Sequence, residues 1–150
     1  LVGYMTVPGL TGFVAKKEML KIPLLRTWMQ RVNCLFLDRV DIKEGLKTIL
    51  EGIEKVKSGV SIWIFPEGTR VEHEGALPAK GGVAVIGIRS GAQFVPVYVE
   101  GNKRLFRRTR IIFGQAYRPE ATSRRPSPEE VQAIADEVLR RSYALGKEAR

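Results

Sequence analysis

The chain predicts an α/β domain with a mostly parallel sheet flanked by helices, and three observations lead there. Short β-rich runs end at abrupt polar turns, helical periodicities separate those runs, and Gly or Pro punctuates most junctions. A length of 150 residues suits one ordinary domain with a real core, and 44% apolar against 27% charged residues is a globular balance.

Taken in order, Pro8-Gly9 and Gly12 punctuate the start, and Phe13-Val14-Ala15 reads as a short strand. Residues 16–29 mix Lys16, Lys17, Lys21 and Arg26 with Met19, Leu20, Ile22, Leu24, Leu25, Trp28 and Met29. That is a basic amphipathic stretch in which Pro23 starts or kinks a helix. It reads equally as a helix packed on the core with a solvated basic face and as a helix lying on anionic lipid with Trp28 near the interface. Cys34-Leu35-Phe36-Leu37 is a compact apolar run, a second strand, ending at Asp38-Arg39.

Over residues 43–57, Leu46, Ile49, Leu50, Ile53 and Val56 recur at three- and four-residue steps, which predicts a helix with one apolar face. Asp41 caps its start and Gly59 ends it. Residues 60–65, Val-Ser-Ile-Trp-Ile-Phe, are too short and β-rich for a helix and predict a strand. Residues 81–89 predict a helix, because Gly91 offers a stop and a strand-like run at 94–99 follows closely. Residues 110–113 make a further strand ending at Gly114. A Pro-, Ser- and Arg-rich joint at 119–126 leads to a last helix, with Ser127 as N-cap, Pro128 at its first position, and Glu129 and Glu130 facing the helix dipole. The expected organisation is a main domain over residues 1–118, with 119–150 as joint and C-terminal helix, an appendage rather than a second domain. No internal repeat or low-complexity tract interrupts this pattern.

The excess of 25 Lys+Arg over 16 Asp+Glu gives +9 and favours an anionic partner: nucleic acid, an acidic membrane surface or a phosphorylated substrate. Cys34 is the only cysteine, which excludes an intrachain disulfide and makes a reducing compartment the default; its apolar neighbours Val32, Leu35 and Phe36 make it a buried, inert thiol. No uninterrupted apolar run approaches the ~20 residues that span a bilayer, and the first residues carry no positive charge of a signal peptide. No cluster has metal-site spacing.

The decisive feature follows the strand at 60–65. Phe65 runs into Pro66, and then Glu67-Gly68-Thr69-Arg70 packs an acid, a flexible residue, a hydroxyl and a guanidinium together. Gly68 permits positive φ or a close approach to ligand, Arg70 offers a planar fork suited to phosphate, and Thr69 adds a donor. Glu67 can accept a hydrogen bond from a substrate hydroxyl or hold Arg70 in place. Ligand sites in parallel α/β sheets lie at the carboxyl ends of strands, where this cluster falls. On spacing alone, the same residues also make a tight turn stapled by a Glu–Arg pair.

Phe65-Pro66-Glu67-Gly68-Thr69-Arg70 resembles the third conserved block of the glycerophospholipid acyltransferase family, whose familiar members acylate lysophosphatidate. Cys34 to Arg39 resembles the second block, a short apolar strand ending in arginine, and Val95-Pro96-Val97 resembles the fourth, a proline-containing strand. Lys80-Gly81 falls where the family often has Lys-Gly before a helix, and Ile111 to Ala116 resembles a later strand-plus-glycine segment. Order and spacing match from about residue 13 to about residue 118. The resemblance implies a glycerol-3-phosphate acyltransferase-like fold, in which Arg39, Glu67, Gly68, Thr69 and Arg70 hold the glycerol-phosphate head group and Pro96 shapes the wall of the active site. Lys80 is a further phosphate contact or, alternatively, a solvated surface lysine.

By the same resemblance, a fatty acyl group moves from a thioester on coenzyme A or acyl carrier protein to a lysophospholipid acceptor, most simply lysophosphatidate giving phosphatidate. Neither substrate is a tightly bound cofactor. The expected setting is the cytoplasmic face of a membrane, with the protein peripheral or anchored by a segment absent from this chain.

One block of the family is not found. Its first block, His-x-x-x-x-Asp, supplies the general base and the carboxylate that orients it. The single histidine here, His73, has Pro78 five residues on, lies after the third block rather than before the second, and sits in a polar loop. The sequence enters the family pattern between the first and second blocks, so the expectation is that the dyad lies upstream of Leu1 and that this polypeptide alone has little or no acyltransferase activity. The competing classes are a non-catalytic lipid-binding family member and a basic nucleic-acid-binding module. The second would use Arg104, Arg107, Arg108 and Arg110 around Phe106, with Arg124 and Arg125, but has no recognised nucleic-acid motif.

Overall fold

The computed structural model describes residues 7, 9–38, 40–68, 77–100, 109–123 and 125–148. The chain divides into two units, Leu1–Phe65 with Arg89–Ala92 and Pro66–Ile88 with Gln93–Arg150.

In the first unit, the β-rich run around Phe13 extends to strand β1 (Thr11–Lys16), followed by a 3₁₀ turn (Lys17–Lys21) and helix α1 (Pro23–Arg31). Pro23 occupies the first turn of α1, where its missing N–H costs nothing, so it starts the helix rather than kinking it. Strand β2 (Leu35–Leu37), helix α2 (Ile42–Lys57) and strand β3 (Ser61–Trp63) follow. The strand order is β2-β1-β3 and both pairings are parallel, with Val14 opposite Leu35 and Thr11 opposite Ser61. Leu35 is fully buried, and Cys34, Ile53 and Val60 are buried as well, so the thiol is indeed buried.

Two expectations are corrected here. The strand expected at 60–65 is only three residues long; Ile64 and Phe65 leave the ladder before Pro66, and Phe65 is 55% exposed. The apolar face expected on α2 is also turned. Leu46 and Leu50 are 55% and 46% exposed, while Thr48, Gly52 and Ile53 are buried. Small residues set that rotation: the Thr48 hydroxyl donates to Phe36 O at 2.9 Å, and a Cβ on Gly45 would lie 3.3 Å from Asp38 O, so this side of α2 sits close to β2 and the loop after it. Asp41 caps the helix by accepting from the N–H groups of Lys43 (2.8 Å) and Glu44 (3.2 Å), and Gly59 closes it at φ 94°.

The second unit contains helix α3 (Gly82–Ser90) as far as Ile88, strand β4 (Val97–Val99), strand β5 (Ile111–Phe113) and helix α4 (Pro128–Glu148). β4 and β5 run antiparallel, with Val97 opposite Phe113, and an isolated bridge joins Phe94 to Tyr117. The strand expected over 94–99 is interrupted because Pro96 has no N–H to give a ladder. The architecture is thus α/β, parallel in its three-stranded sheet and antiparallel in this pair.

Ser127 Oγ accepts from Glu130 N at 3.2 Å, so α4 begins as its sequence demands. It is not an appendage. Ala135, Val138, Leu139 and Gly146 are buried, and Gly146 meets the ring of Tyr98 so closely that an added Cβ would lie 2.5 Å from Cε2 and Cζ. A stripe of small and apolar residues brings the helix backbone onto β4. Among the described residues, no helix is long and apolar enough to cross a membrane.

Candidate functional site

Three residues beyond β3 the chain turns at Pro66-Glu67-Gly68, and Gly68 adopts φ 70°, a left-handed conformation that favours glycine. Pro66 O accepts from Lys80 N at 2.7 Å, so the chain leaving the strand and the chain entering α3 are clasped together. Lys80 itself is exposed, directly ahead of that helix.

Helix α4 braces both ends of this turn. Near its C-terminal end the Tyr143 hydroxyl donates to Glu67 Oε1 at 2.5 Å. Earlier in the helix, Asp136 Oδ1 accepts from Ala79 N at 3.1 Å, while Gln132 Nε2 donates to Ala79 O at 2.9 Å and to Asp136 Oδ1 at 3.0 Å. The carboxylate of Glu67 is therefore a fixed acceptor.

Beside this brace lies a second polar cluster. Glu137 accepts from Arg140 Nε (2.6 Å), Arg140 Nη2 (2.7 Å) and Arg141 Nε (2.6 Å). These bonds hold its carboxyl down to about 2. The Arg141 guanidinium is 3.8 Å from the ring centroid of Tyr117, whose ring also meets Phe94 edge-on. Burial pushes the Tyr117 hydroxyl up, against the opposing pull of Arg141, and that oxygen has no hydrogen-bond partner among the described residues.

Of the residues expected in the site, Glu67, Gly68, Lys80 and Pro96 are described. The first three belong to the clasped turn. Pro96 is buried at the start of β4, and the bond it makes runs to Gly114, whose N–H donates to Pro96 O at 2.8 Å. Arg39, Thr69 and Arg70 lie outside the described residues, as do His73 and the basic cluster of Arg104, Phe106, Arg107, Arg108 and Arg124. Arg110 is exposed, with Nε 3.7 Å from Glu100 Oε2.

In the first unit, Asp38 is held by backbone N–H groups just ahead of α2 and by a lysine. Its Oδ1 accepts from Val40 N (2.9 Å) and Asp41 N (3.1 Å), and its Oδ2 from Lys17 Nζ (3.1 Å). Those backbone N–H groups, then Lys17, hold its carboxyl down to about 2. No group of His, Cys, Asp and Glu suited to a metal occurs among the described residues.

The sequence reading missed Tyr143, because the last helix was expected to stand apart. Its signal was available: Val131, Ala135, Val138, Leu139, Tyr143 and Gly146 recur at three- and four-residue steps, the spacing of a packed face.

The family model described as Acyltransferase matches residues 2–100. A 1-acyl-sn-glycerol-3-phosphate acyltransferase of Escherichia coli (strain K12) is 37% identical over 90 residues, covering 59% of this chain and 37% of that protein. The human 1-acyl-sn-glycerol-3-phosphate acyltransferase alpha is 28% identical over 147 residues, covering 92% of this chain and 51% of that one. The crystal structure of a 1-acyl-sn-glycerophosphate acyltransferase from Thermotoga maritima superposes with a TM-score of 0.67 at 25% identity, over 95% of this chain and 58% of that chain. The chain spans well under two thirds of the length of each of these proteins.

Proposed function

The chain belongs to the acyltransferase family, and from that premise we propose that it binds the phosphorylated head group of a lysophospholipid, most simply lysophosphatidate, as the acceptor in phospholipid synthesis. The observation that carries this is the Glu67 carboxylate fixed by Tyr143 at 2.5 Å on a turn of left-handed Gly68. Tyr143 takes Oε1, and Oε2 is the oxygen assigned to a glycerol hydroxyl. Arg39 and Arg70 are assigned to the phosphate, with Thr69 and the exposed Lys80 as additional donors and Pro96 as part of the wall. Such a head group is anionic, which suits a chain of net charge +9.

In the reaction, the acceptor oxygen attacks the carbonyl carbon of a coenzyme A or acyl carrier protein thioester. A C–O bond forms, the C–S bond breaks, the hydroxyl proton passes to a base and the thiol leaves; no tightly bound cofactor is required. The sequence offers no His-x-x-x-x-Asp to take that proton, since its only histidine has Pro78 five residues on. The role assigned to these 150 residues is therefore acceptor recognition, at the cytoplasmic face of a membrane, with little or no turnover by themselves.

Calorimetric titration with lysophosphatidate below its micellar concentration tests the assignment. Glu67→Ala and Arg70→Ala are each expected to weaken binding at least about tenfold, the loss that follows removal of one charge-assisted contact. Unchanged affinity in both variants would remove the motif from the binding site. A radiolabelled acyl-transfer assay is expected to give at most marginal product, and robust turnover would require another base.

A further inference from the structure

The acceptor proposed above resides in a lipid surface, and the inference here rests on that setting only: it concerns which part of the chain meets the surface. Within α1, Met29 alone is buried; Leu24 is 87% exposed and Trp28 43%, and Ile22, just ahead of the helix, is 51% exposed. Leu24, Trp28 and Arg31, spaced by four and three, share one face of the helix. Lys16, Lys21, Arg26 and Arg31 are all exposed, and no acidic residue occurs between Glu18 and Arg31. Lys17 is already engaged with Asp38 at 3.1 Å.

A second exposed apolar stripe, Val40, Ile42, Leu46 and Leu50, runs along α2 and serves as the contrast. There Lys43 and Lys47 are interspersed with Glu44, Glu51 and Glu54, so the charge is mixed. Large apolar side chains ringed by cations alone complement anionic lipid, whereas the mixed face of α2 does not.

We propose that the 3₁₀ turn and α1 form a docking surface for an anionic bilayer. Ile22, Leu24 and Trp28 enter the head-group region, and Lys21, Arg26 and Arg31 pair with lipid phosphates. A helix of this kind lies in the plane of the interface, and each cation near an anionic surface contributes about fivefold to partitioning.

The test is sedimentation with vesicles of phosphatidylcholine alone or with roughly a third phosphatidylglycerol, which gives the surface a negative potential, without acceptor or acyl donor. Binding is expected only to the anionic vesicles. Leu24→Glu with Trp28→Glu, and Arg26→Glu with Arg31→Glu, are each expected to lower it at least about tenfold. Leu46→Glu with Leu50→Glu, which removes comparable apolar surface from α2, is expected to leave it unchanged. In a Trp63→Phe background with α1 intact, Trp28 is the sole tryptophan, and brominated lipids should quench it.

Absence of quenching, or an equal loss from the α2 pair, overturns the proposal. So does a charge-only pattern, in which the arginine pair weakens vesicle binding while the Leu24 and Trp28 pair does not. Because lysophosphatidate affinity is read separately, loss of vesicle binding with that affinity intact isolates the docking surface from the head-group site.

Discussion

Gly146 is the position at which the packing of the last helix can be broken by a single methyl. A Cβ there would lie 2.5 Å from Tyr98 Cε2 and Cζ and 2.8 Å from Cδ2, well inside contact distance. Tyr98 sits on β4, whose backbone is paired to β5, so relief must come from tilting the ring or lifting the last turn of α4. Overpacking of this kind costs roughly 1–3 kcal/mol. Replacing a helical glycine by alanine ordinarily stabilises by up to about 1 kcal/mol, less near a terminus. The balance for Gly146→Ala is a net destabilisation of about 1–2 kcal/mol, or a fall in Tm of roughly 2–8 °C for a chain of this size.

Tyr143 stands one turn earlier, and lifting that turn draws its hydroxyl away from Glu67, 2.5 Å away in the native packing. Tyr143→Phe alone should cost about 1 kcal/mol, the net worth of a part-buried hydrogen bond. If the two losses share one displacement, the double variant will be less destabilised than the sum of the single variants. Urea denaturation followed by far-UV circular dichroism measures all three. A Gly146→Ala protein as stable as the wild type, or more stable, would refute the close approach of α4 to β4. Additive losses would refute the link from Gly146 through Tyr143 to Glu67.

Two further outcomes follow from local geometry. Asp41→Ala removes the acceptor for the N–H groups of Lys43 and Glu44 and should destabilise by about 1 kcal/mol in urea titration, with Asp41→Ser recovering most of it. Glu137 is held from its ordinary 4.5 down to about 2 by Arg140 and Arg141, a depressed carboxylate, so its contribution is whole above about pH 4.5 and is lost as pH falls toward 2. Solvent screening at this partly exposed site limits that contribution to less than about 1 kcal/mol, and the Tm difference between wild type and Glu137→Gln should shrink across the same window.

Most of the local structure was legible in the sequence, because its signals are local. Pro23 at the first turn of α1, Asp41 as cap, Gly59 and Gly91 as stops, and Ser127 ahead of Pro128 act through neighbouring backbone groups. The rotation of α2 was not legible, since hydrophobicity favoured Leu46 and Leu50 while close packing chose Gly45, Thr48 and Gly52. Glu67 and Gly68 were assigned to the candidate site from residue chemistry and from the resemblance carried by their motif. Tyr143 was not, because its partner lies far along the chain and a proline-rich joint suggested a detached helix. The end of β3 was overrun for a related reason: Ile64 and Phe65 have strand-forming side chains but no ladder partner among the described residues.

The clasp between Pro66 O and Lys80 N has an evolutionary reading. Both ends of the intervening stretch are held, by one backbone bond and by α4, so a relative with a longer or shorter stretch between the same two ends would differ mainly in closure entropy. Closure entropy grows only logarithmically, about 0.6 kcal/mol for each doubling of length. Under the proposed assignment of Thr69 and Arg70 to the phosphate, head-group preference would be a modular trait, open to exchange between related chains by grafting a single segment.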